Sequence, residues 1–269
     1  MEHATWPARL LLLIFSVVIV VAVVAAQRGR AFTIRRIPGL SALDEAVGRA
    51  VEMGRPILTS VGLGGIDIVT LQALAIVANI AALAARFGTR VFLPVRTAAL
   101  LPVAEDAIAN AYASAGRPDV FQSGDVHFLS GEQFAFAAGV AGMIQRERVA
   151  AAFLFGTYFA ESLVIAENAN QVGAVQVAGT PATTQIPFFI VACDYVIIGD
   201  EYYAATAYLT RQSTLLGSIV GQDWVKVGLV TAILVGVLLL SLGMPVLFNL
   251  FADKDLPSFL AYFAPKGGK

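Results

Sequence analysis

The chain has 269 residues, 58% of them hydrophobic and 14% charged, with a formal net charge of −1. An ordinary soluble domain is about 25% charged, so part of this chain meets lipid or is unusually well buried. No dense Lys/Arg patch marks a nucleic-acid partner, and the single cysteine, Cys193, excludes an intrachain disulfide.

The first element is LLLLIFSVVIVVAVVAA, Leu10 to Ala26, seventeen residues without a charge. It is at the short end of what a membrane-spanning helix needs. Val24 and Ala26 before Gln27 also fit a signal-peptide cleavage site. The apolar run is longer than a usual signal core, however, and Arg28, Arg30, Arg35 and Arg36 follow at once, as after a stop-transfer anchor. The expectation is an uncleaved anchor over 1–27 and a basic juxtamembrane linker over 28–40. Only Arg9 precedes the run, so the positive-inside rule puts the chain after residue 27 in the cytoplasm and the N-terminus outside.

Residues 41–222 hold 24 of the 37 charged residues, nine arginines and fifteen acids, a formal −6. Charges this evenly scattered do not suit lipid-facing helices. They suit a water-soluble domain with little exposed surface, and self-association is the simplest cover for that surface. A homo-oligomer is expected.

Within the domain, LDEAVGRAVEMG reads as a helix capped by Ser41 and closed by Gly54. PILTSVG reads as a buried strand, and IDIVTLQALAIVANIAALAARFG as a long helix closed by Gly88. RVFLPV is a second strand, followed by the helix AALLPVAEDAIANAYASAG, closed by Gly116. DVFQSGDVHFLSG has no assigned structure. EQFAFAAGVAGMIQRER reads as a helix with a capping box from Ser130 and Gln133. The strand VAAAFLFG, the helix YFAESLVIAENANQVG and the strand AVQVAG come next. In IPFFIVACDYVIIG, residues 186–199, FFIVA and YVIIG read as buried strand-like segments around Asp194. A carboxylate there would cost about 2.5–3.5 kcal/mol at bilayer depth. DEYYAATAYLT then starts a helix with Asp200 and Glu201 at its positive end.

Alternating β and α elements with apolar strands predict an α/β fold: a mostly parallel, Rossmann-like sheet with helices on both faces. Flanking it are N- and C-terminal transmembrane helices. A rival reading places residues 68–85, eighteen uncharged residues, in the bilayer; their seven alanines, Gln72 and Asn79 favour packing on a sheet instead. The second span is expected over 223–252. Its core is Val227 to Phe251, twenty-five uncharged residues, with Trp224 and Lys226 suited to the headgroup layer and Pro245 placed to kink its end. The tail 253–269 would then lie outside, with Phe259, Tyr262 and Phe263 suited to the interface.

The four lysines, Lys226, Lys254, Lys266 and Lys269, all lie beyond the domain. This excludes a lysine-bearing phosphate loop and a pyridoxal Schiff base inside it. With only His3 and His127 in the chain, a histidine-rich zinc site or a serine triad is not expected. Cys193 reads as an inert core thiol. No catalytic residue, metal or cofactor is assigned.

Two loops remain. GLGG, Gly62 to Gly65, follows a strand and opens a helix, as a phosphate grip does, but G-x-G-G-x-D is not G-x-G-x-x-G. AGTPATTQIP, ending at Pro187, offers three threonine hydroxyls and a carboxamide after a strand. The candidate ligand residues are Gly62, Gly64, Gly65, Asp67, Thr180, Thr183 and Thr184. The bland alternative is a tight turn in the first loop and ordinary capping in the second. Tyr158, Glu161, Glu167, Asn168, Asn170 and Gln171 add polar groups on a neighbouring helix. Glu161 and Glu167 are six residues apart, so they do not form a carboxylate pair on one face.

LDEAVGRAVEMGRPILTSVG, GTPATTQIPFFIVACDYVIIGDEYYAA and GQDWVKVG resemble an uncharacterised family of prokaryotic membrane proteins over most of residues 35–240. That resemblance implies a membrane-anchored domain and carries no catalytic residues with it. The functional expectation is a plasma-membrane protein with both termini outside, self-associating as a scaffold or as a subunit of a membrane complex. A tethered domain binding an anionic or nucleotide-like molecule is the alternative, and a small transporter or channel subunit the third.

Overall fold

In the computed structural model, residues 6–30, 32 and 38–242 are described. Arg35, Arg36, His3, Pro245 and the tail 253–269 lie outside the described residues. By internal contacts the chain divides into two compact units. One is Thr33–Gln212 and the other joins Met1–Phe32 to Ser213–Lys269.

The larger unit is a three-layer α/β domain. Its strands are β1 (Ile57–Gly62), β2 (Val91–Val95), β3 (Val126–Phe128), β4 (Ala151–Thr157), β5 (Val175–Thr180) and β6 (Tyr195–Ile198). They form one sheet in the order β3-β2-β1-β4-β5-β6, and every pairing is parallel. The helices of this unit are α2 (Pro38–Met53), α3 (Ile68–Ala85), α4 (Leu101–Ser114), α5 (Gln133–Glu147), α6 (Glu161–Gln171), α7 (Ile186–Ala192) and α8 (Glu201–Thr210). Helices α2, α3, α4 and α8 pack on one face with Ile57, Val61, Phe153, Phe155 and Val177. Helices α5, α6 and α7 pack on the other with Leu58, Ala152, Leu154 and Ala178. Both faces are covered, which is why these strands read as continuous apolar runs rather than alternating ones. Sheet order and layering are those of a doubly wound, Rossmann-like fold.

Helix α3 is long and apolar enough to cross a membrane, yet half of it is buried. Ala73, Ala81, Ala84 and Ala85 face the sheet layer, where small side chains let a helix approach closely. Its alanines serve that contact.

Several local expectations are corrected. FFIVA is helical: it belongs to α7, which starts with Pro at its first turn, a position that suits proline's fixed φ and missing N–H. YVIIG is the strand β6, but an edge strand with Tyr195 and Ile198 exposed rather than a buried one. DVFQSGDVHFLSG contains the three-residue edge strand β3. Helix α2 begins at Pro38, so Ser41 lies inside it and does not cap it. The capping box at α5 does not form: Ser130 Oγ accepts from Glu132 N at 3.1 Å, while Gln133 reaches another helix. Tyr158 precedes α6 instead of lying on it.

The smaller unit contains α1 (Trp6–Gln27) and α9 (Ser213–Ser241). Both are long and apolar enough to span a membrane. They pack antiparallel through the G-x-x-x-G pair Gly217 and Gly221. A Cβ on Gly217 would lie 2.6 Å from Val23 Cα and 2.9 Å from Ala22 O, and one on Gly221 would lie 2.9 Å from Ile19 Cα. Glycine here lets two helix backbones approach as no larger residue does. This contact fixes the register. With Gly217 against Val23 and Gly221 against Ile19, Asp223 stands level with Val17 and Lys226 with Ile14, inside the α1 apolar run. Val227 stands level with Leu13, so the α9 run begins about thirteen residues, or about 20 Å, past the level of Ala26.

Candidate functional site

In a doubly wound sheet the strand order reverses at one point, and ligands gather outside the carboxyl ends of the strands there. Here that point lies between β1 and β4. The loop Gly62–Asp67 leaves β1 at this point, and residues 157–161 leave β4 beside it. Thr180–Gln185 leaves β5, one strand further along.

The switch point is tightly closed. Leu63 N donates to Thr157 O at 2.8 Å, continuing the ladder past the end of β1. Gly62 and Gly156 face each other's strands in left-handed backbone (φ 74° and 121°), and a Cβ on either would overlap the opposite carbonyl, Thr157 O or Val61 O. Tyr158 is fully buried at the end of β4. Its hydroxyl donates to Ser60 O at 3.0 Å, and its ring meets Phe189 edge-on at 5.3 Å. Burial pushes the Tyr158 phenol far above its ordinary range, with the Ser60 bond opposing, so it stays a neutral donor.

The helix N-terminus beside the glycine loop is capped from within the chain. Asp67 Oδ1 accepts from Thr70 N at 2.9 Å and its Oδ2 from Thr70 Oγ1 at 3.2 Å. Gly64 packs so closely that a Cβ would overlap Thr70 Oγ1 and approach Asp67 Oδ2 to 2.9 Å. Arg96, after β2, holds the neighbouring turns: Nη1 donates to Leu63 O at 2.9 Å and Nε to Gly131 O at 2.7 Å. Thr97 Oγ1 donates to Gly64 O at 3.4 Å.

Glu161, at the start of α6, is a fully buried carboxylate. It accepts from Gln133 Nε2 at 2.5 Å and from Phe159 N at 2.8 Å, so it locks α5 to the β4–α6 turn. Glu167 is exposed, away from it. Asn168 and Gln171 accept from Gln145 Nε2, each at 3.2 Å, on the outer seam of α5 and α6.

On the second loop, Thr180 is buried and its Oγ1 accepts from Ala182 N at 3.2 Å, while Thr183 and Thr184 are exposed. Gln185 is only 8% exposed, and its Oε1 is buried without a hydrogen-bond partner. The two candidate loops therefore share the carboxyl edge of the sheet and are separated there by the end of β4. Sequence reasoning counted Gln185 as the carboxamide of its loop and named Gln133 and Glu161 separately; nothing in local spacing marks Gln185 as buried or joins the other two.

The edge is acidic. Among the described residues, Asp67, Glu132, Glu161, Asp200 and Glu201 follow strands or open helices there, and Arg96 follows β2. Carboxylates at helix starts complement the helix dipole.

The opposite edge carries Arg55 and Arg90 in a cleft of about 350 Å³ with Gly88, Thr89 and Glu147. Arg55 donates to the carbonyls of Arg148, Val149 and Val172, and Arg90 pairs with buried Asp125. The Asp125 hydrogen bond raises the Arg90 pKa against the pull of burial. Both guanidinium groups are thus engaged in holding the fold.

Among the described residues no cluster of His, Cys, Asp and Glu has the makings of a metal site. Burial, then the Asp194 charge, pushes the Cys193 thiol up to about 12, the setting of a protonated, unreactive thiol. His127 lies on β3 with its Nδ1 buried and unpartnered.

Fold and site define a doubly wound, all-parallel α/β domain in a chain that also carries two long apolar terminal helices. The chain belongs to the family described as Domain of unknown function (DUF6754), which matches residues 1–251. No curated protein and no solved structure matches it.

Proposed function

We propose that this protein is a two-pass membrane protein whose α/β domain self-associates, serving as a scaffold or as a subunit of a membrane complex. One observation carries the reading: the surface formed by α7 and β6 is apolar and open. Phe188, Ile190, Val191 and Ile198 are all exposed, Val191 to 87%. The same strand offers an unpaired sheet edge, which proteins ordinarily cover or charge. Leu163 and Val164, exposed on neighbouring α6, extend the surface, and contiguous apolar patches of this kind mark association sites.

The antiparallel α1–α9 pair supports a topology with both termini on one side of the bilayer. With Arg28 and Arg30 after α1, the positive-inside rule makes that the outer side of a plasma membrane and the α/β domain cytoplasmic. The prokaryotic membrane setting that the family resemblance implies belongs to this reading.

Replacing Val191 by Glu and Ile198 by Lys tests it. The full chain in mild detergent is expected to fall to a smaller particle with its circular dichroism unchanged. An unchanged particle size would remove the assigned surface.

A second reading is favoured by Gln185, whose buried Oε1 has no partner beside the loop of Thr180, Thr183 and Thr184. In it the carboxyl edge binds a small molecule. The nucleotide-like class fits only through its base or sugar, since Asp67 already holds the α3 N-terminus. A thermal-shift screen of nucleosides, nucleotides and amines tests this. Hits lost on Gln185→Leu support it, and an empty screen contradicts it.

A further inference from the structure

The face of α1 turned away from α9 leads into a cleft of about 590 Å³ at the end of the helix. The glycines of α9 meet Ile19, Ala22, Val23 and Ala26. At about 100° per residue, Val20, Val21, Val24 and Ala25 fall on the opposite side of α1. They form the apolar wall of the cleft, with Val20 and Val21 exposed by 59% and 60%. Its far end is lined by Arg28, Gly29 and Arg30.

That end is shaped by the backbone. Gly29 takes a left-handed φ of 86°, and Gly29 N and Arg30 N donate to Ala26 O and Ala25 O at 3.1 and 3.2 Å. This is a glycine-closed helix stop, and it sets both arginines on the turn where the apolar run ends. The Arg30 guanidinium lies over the Phe32 ring at 5.9 Å. Among the described residues neither Arg28 nor Arg30 meets a carboxylate.

We propose that this cleft binds one anionic phospholipid, its phosphate held by Arg28 and Arg30 and an acyl chain lying along Val24, Val21 and Val20. Guanidinium groups recognise phosphate oxygens through paired N–H donors, and an apolar wall beside them calls for a hydrocarbon tail on the same molecule. The site rests on the membrane-spanning reading above: the α1 apolar run ends at Ala26, so the valines lie in hydrocarbon and the arginines in the headgroup layer. A free phosphate would engage the arginines and leave the valine wall bare. A phosphatidylcholine would cover the wall, but its choline brings a third cation to the same place.

The test uses the full chain, purified in mild detergent and stripped of lipid. Dioleoylphosphatidylglycerol, dioleoylphosphatidylcholine or inorganic phosphate is then added, and bound molecules are counted by native mass spectrometry. The expected result is one tightly retained phosphatidylglycerol per chain, preferred over phosphatidylcholine. Arg28→Gln together with Arg30→Gln is expected to weaken its retention by about tenfold or more with circular dichroism unchanged. Val21→Trp keeps both charges, fills the cleft and is expected to do the same. Lipid is added after purification, so a change in how a variant inserts during synthesis does not enter. Equal retention of the two lipids, or variants that bind as the parent does, overturns the site. Displacement of phosphatidylglycerol by inorganic phosphate overturns the lipid assignment in favour of a free anion. A chain that stays soluble without detergent removes the membrane reading itself, whereas one that needs detergent and shows no lipid preference removes this site alone.

Discussion

Gly62→Ala is the sharpest test of how the sheet is closed at its switch point. Two separate costs are expected. The left-handed backbone at Gly62, φ 74°, costs a residue with a Cβ about 1–2 kcal/mol. The new Cβ also overlaps Thr157 O, which is backbone and has no rotamer to move. Relief requires β1 and β4 to part, which breaks the buried Leu63 N–H to Thr157 O bond of 2.8 Å at a further cost of about 1–3 kcal/mol. The sum is about 2–5 kcal/mol, or about 4–20 °C in melting temperature for a domain of this size. Gly65→Ala is the matched control. It lies three residues away with no positive φ, and nothing stands within 4 Å of its added Cβ. It is expected to be neutral or slightly stabilising. Far-UV circular dichroism of the full chain during urea and thermal unfolding reads both. If Gly62→Ala unfolds within about 1 kcal/mol of Gly65→Ala, the argument for a closed switch point is wrong.

The Arg90–Asp125 pair is asymmetric, with side-chain exposures of 42% and 3%. Arg90→Leu strands a buried carboxylate and is expected to cost about 3–5 kcal/mol; Asp125→Leu leaves an arginine that reaches water and costs less, so equal urea midpoints would contradict the assignment. Cys193 is expected to react with iodoacetamide at pH 8 about a thousandfold more slowly when folded, because a thiol at about 12 holds about that much less thiolate than one at 9.0. Its raised pKa contributes stability that is present below pH 9 and lost as pH rises from 9 to about 12. A labelling rate unaffected by urea would refute the half-buried placement. Glu161→Gln keeps an acceptor for Phe159 N and is expected to be milder than Glu161→Ala, which orphans that N–H and the Gln133 amide; the two unfolding midpoints decide.

The strands were legible because a sheet covered on both faces shows no alternation of apolar and polar side chains, as in VFLPV and AAFLF. Helix α7 was not legible as a helix. Only Ile186 and Phe189 of its seven residues are buried, and an apolar run that short has no readable period. Pro187 near its start was the available signal. Strand β3, three residues at the edge, is below the length at which alternation shows. The glycine loop after β1 was visible in the sequence, but its tightness depends on Gly156, 94 residues beyond Gly62, and such a pairing is set by topology. In the same way G-x-x-x-G at Gly217 and Gly221 stands in plain view, yet its partner helix is at the other end of the chain.

A chain anchored in the bilayer by its two ends and assembled with itself, as proposed, carries a characteristic particle mass when the intact protein is released in mild detergent. A defined multiple of the 28.3 kDa chain, persisting on dilution, is the predicted result; a single chain at every concentration contradicts it.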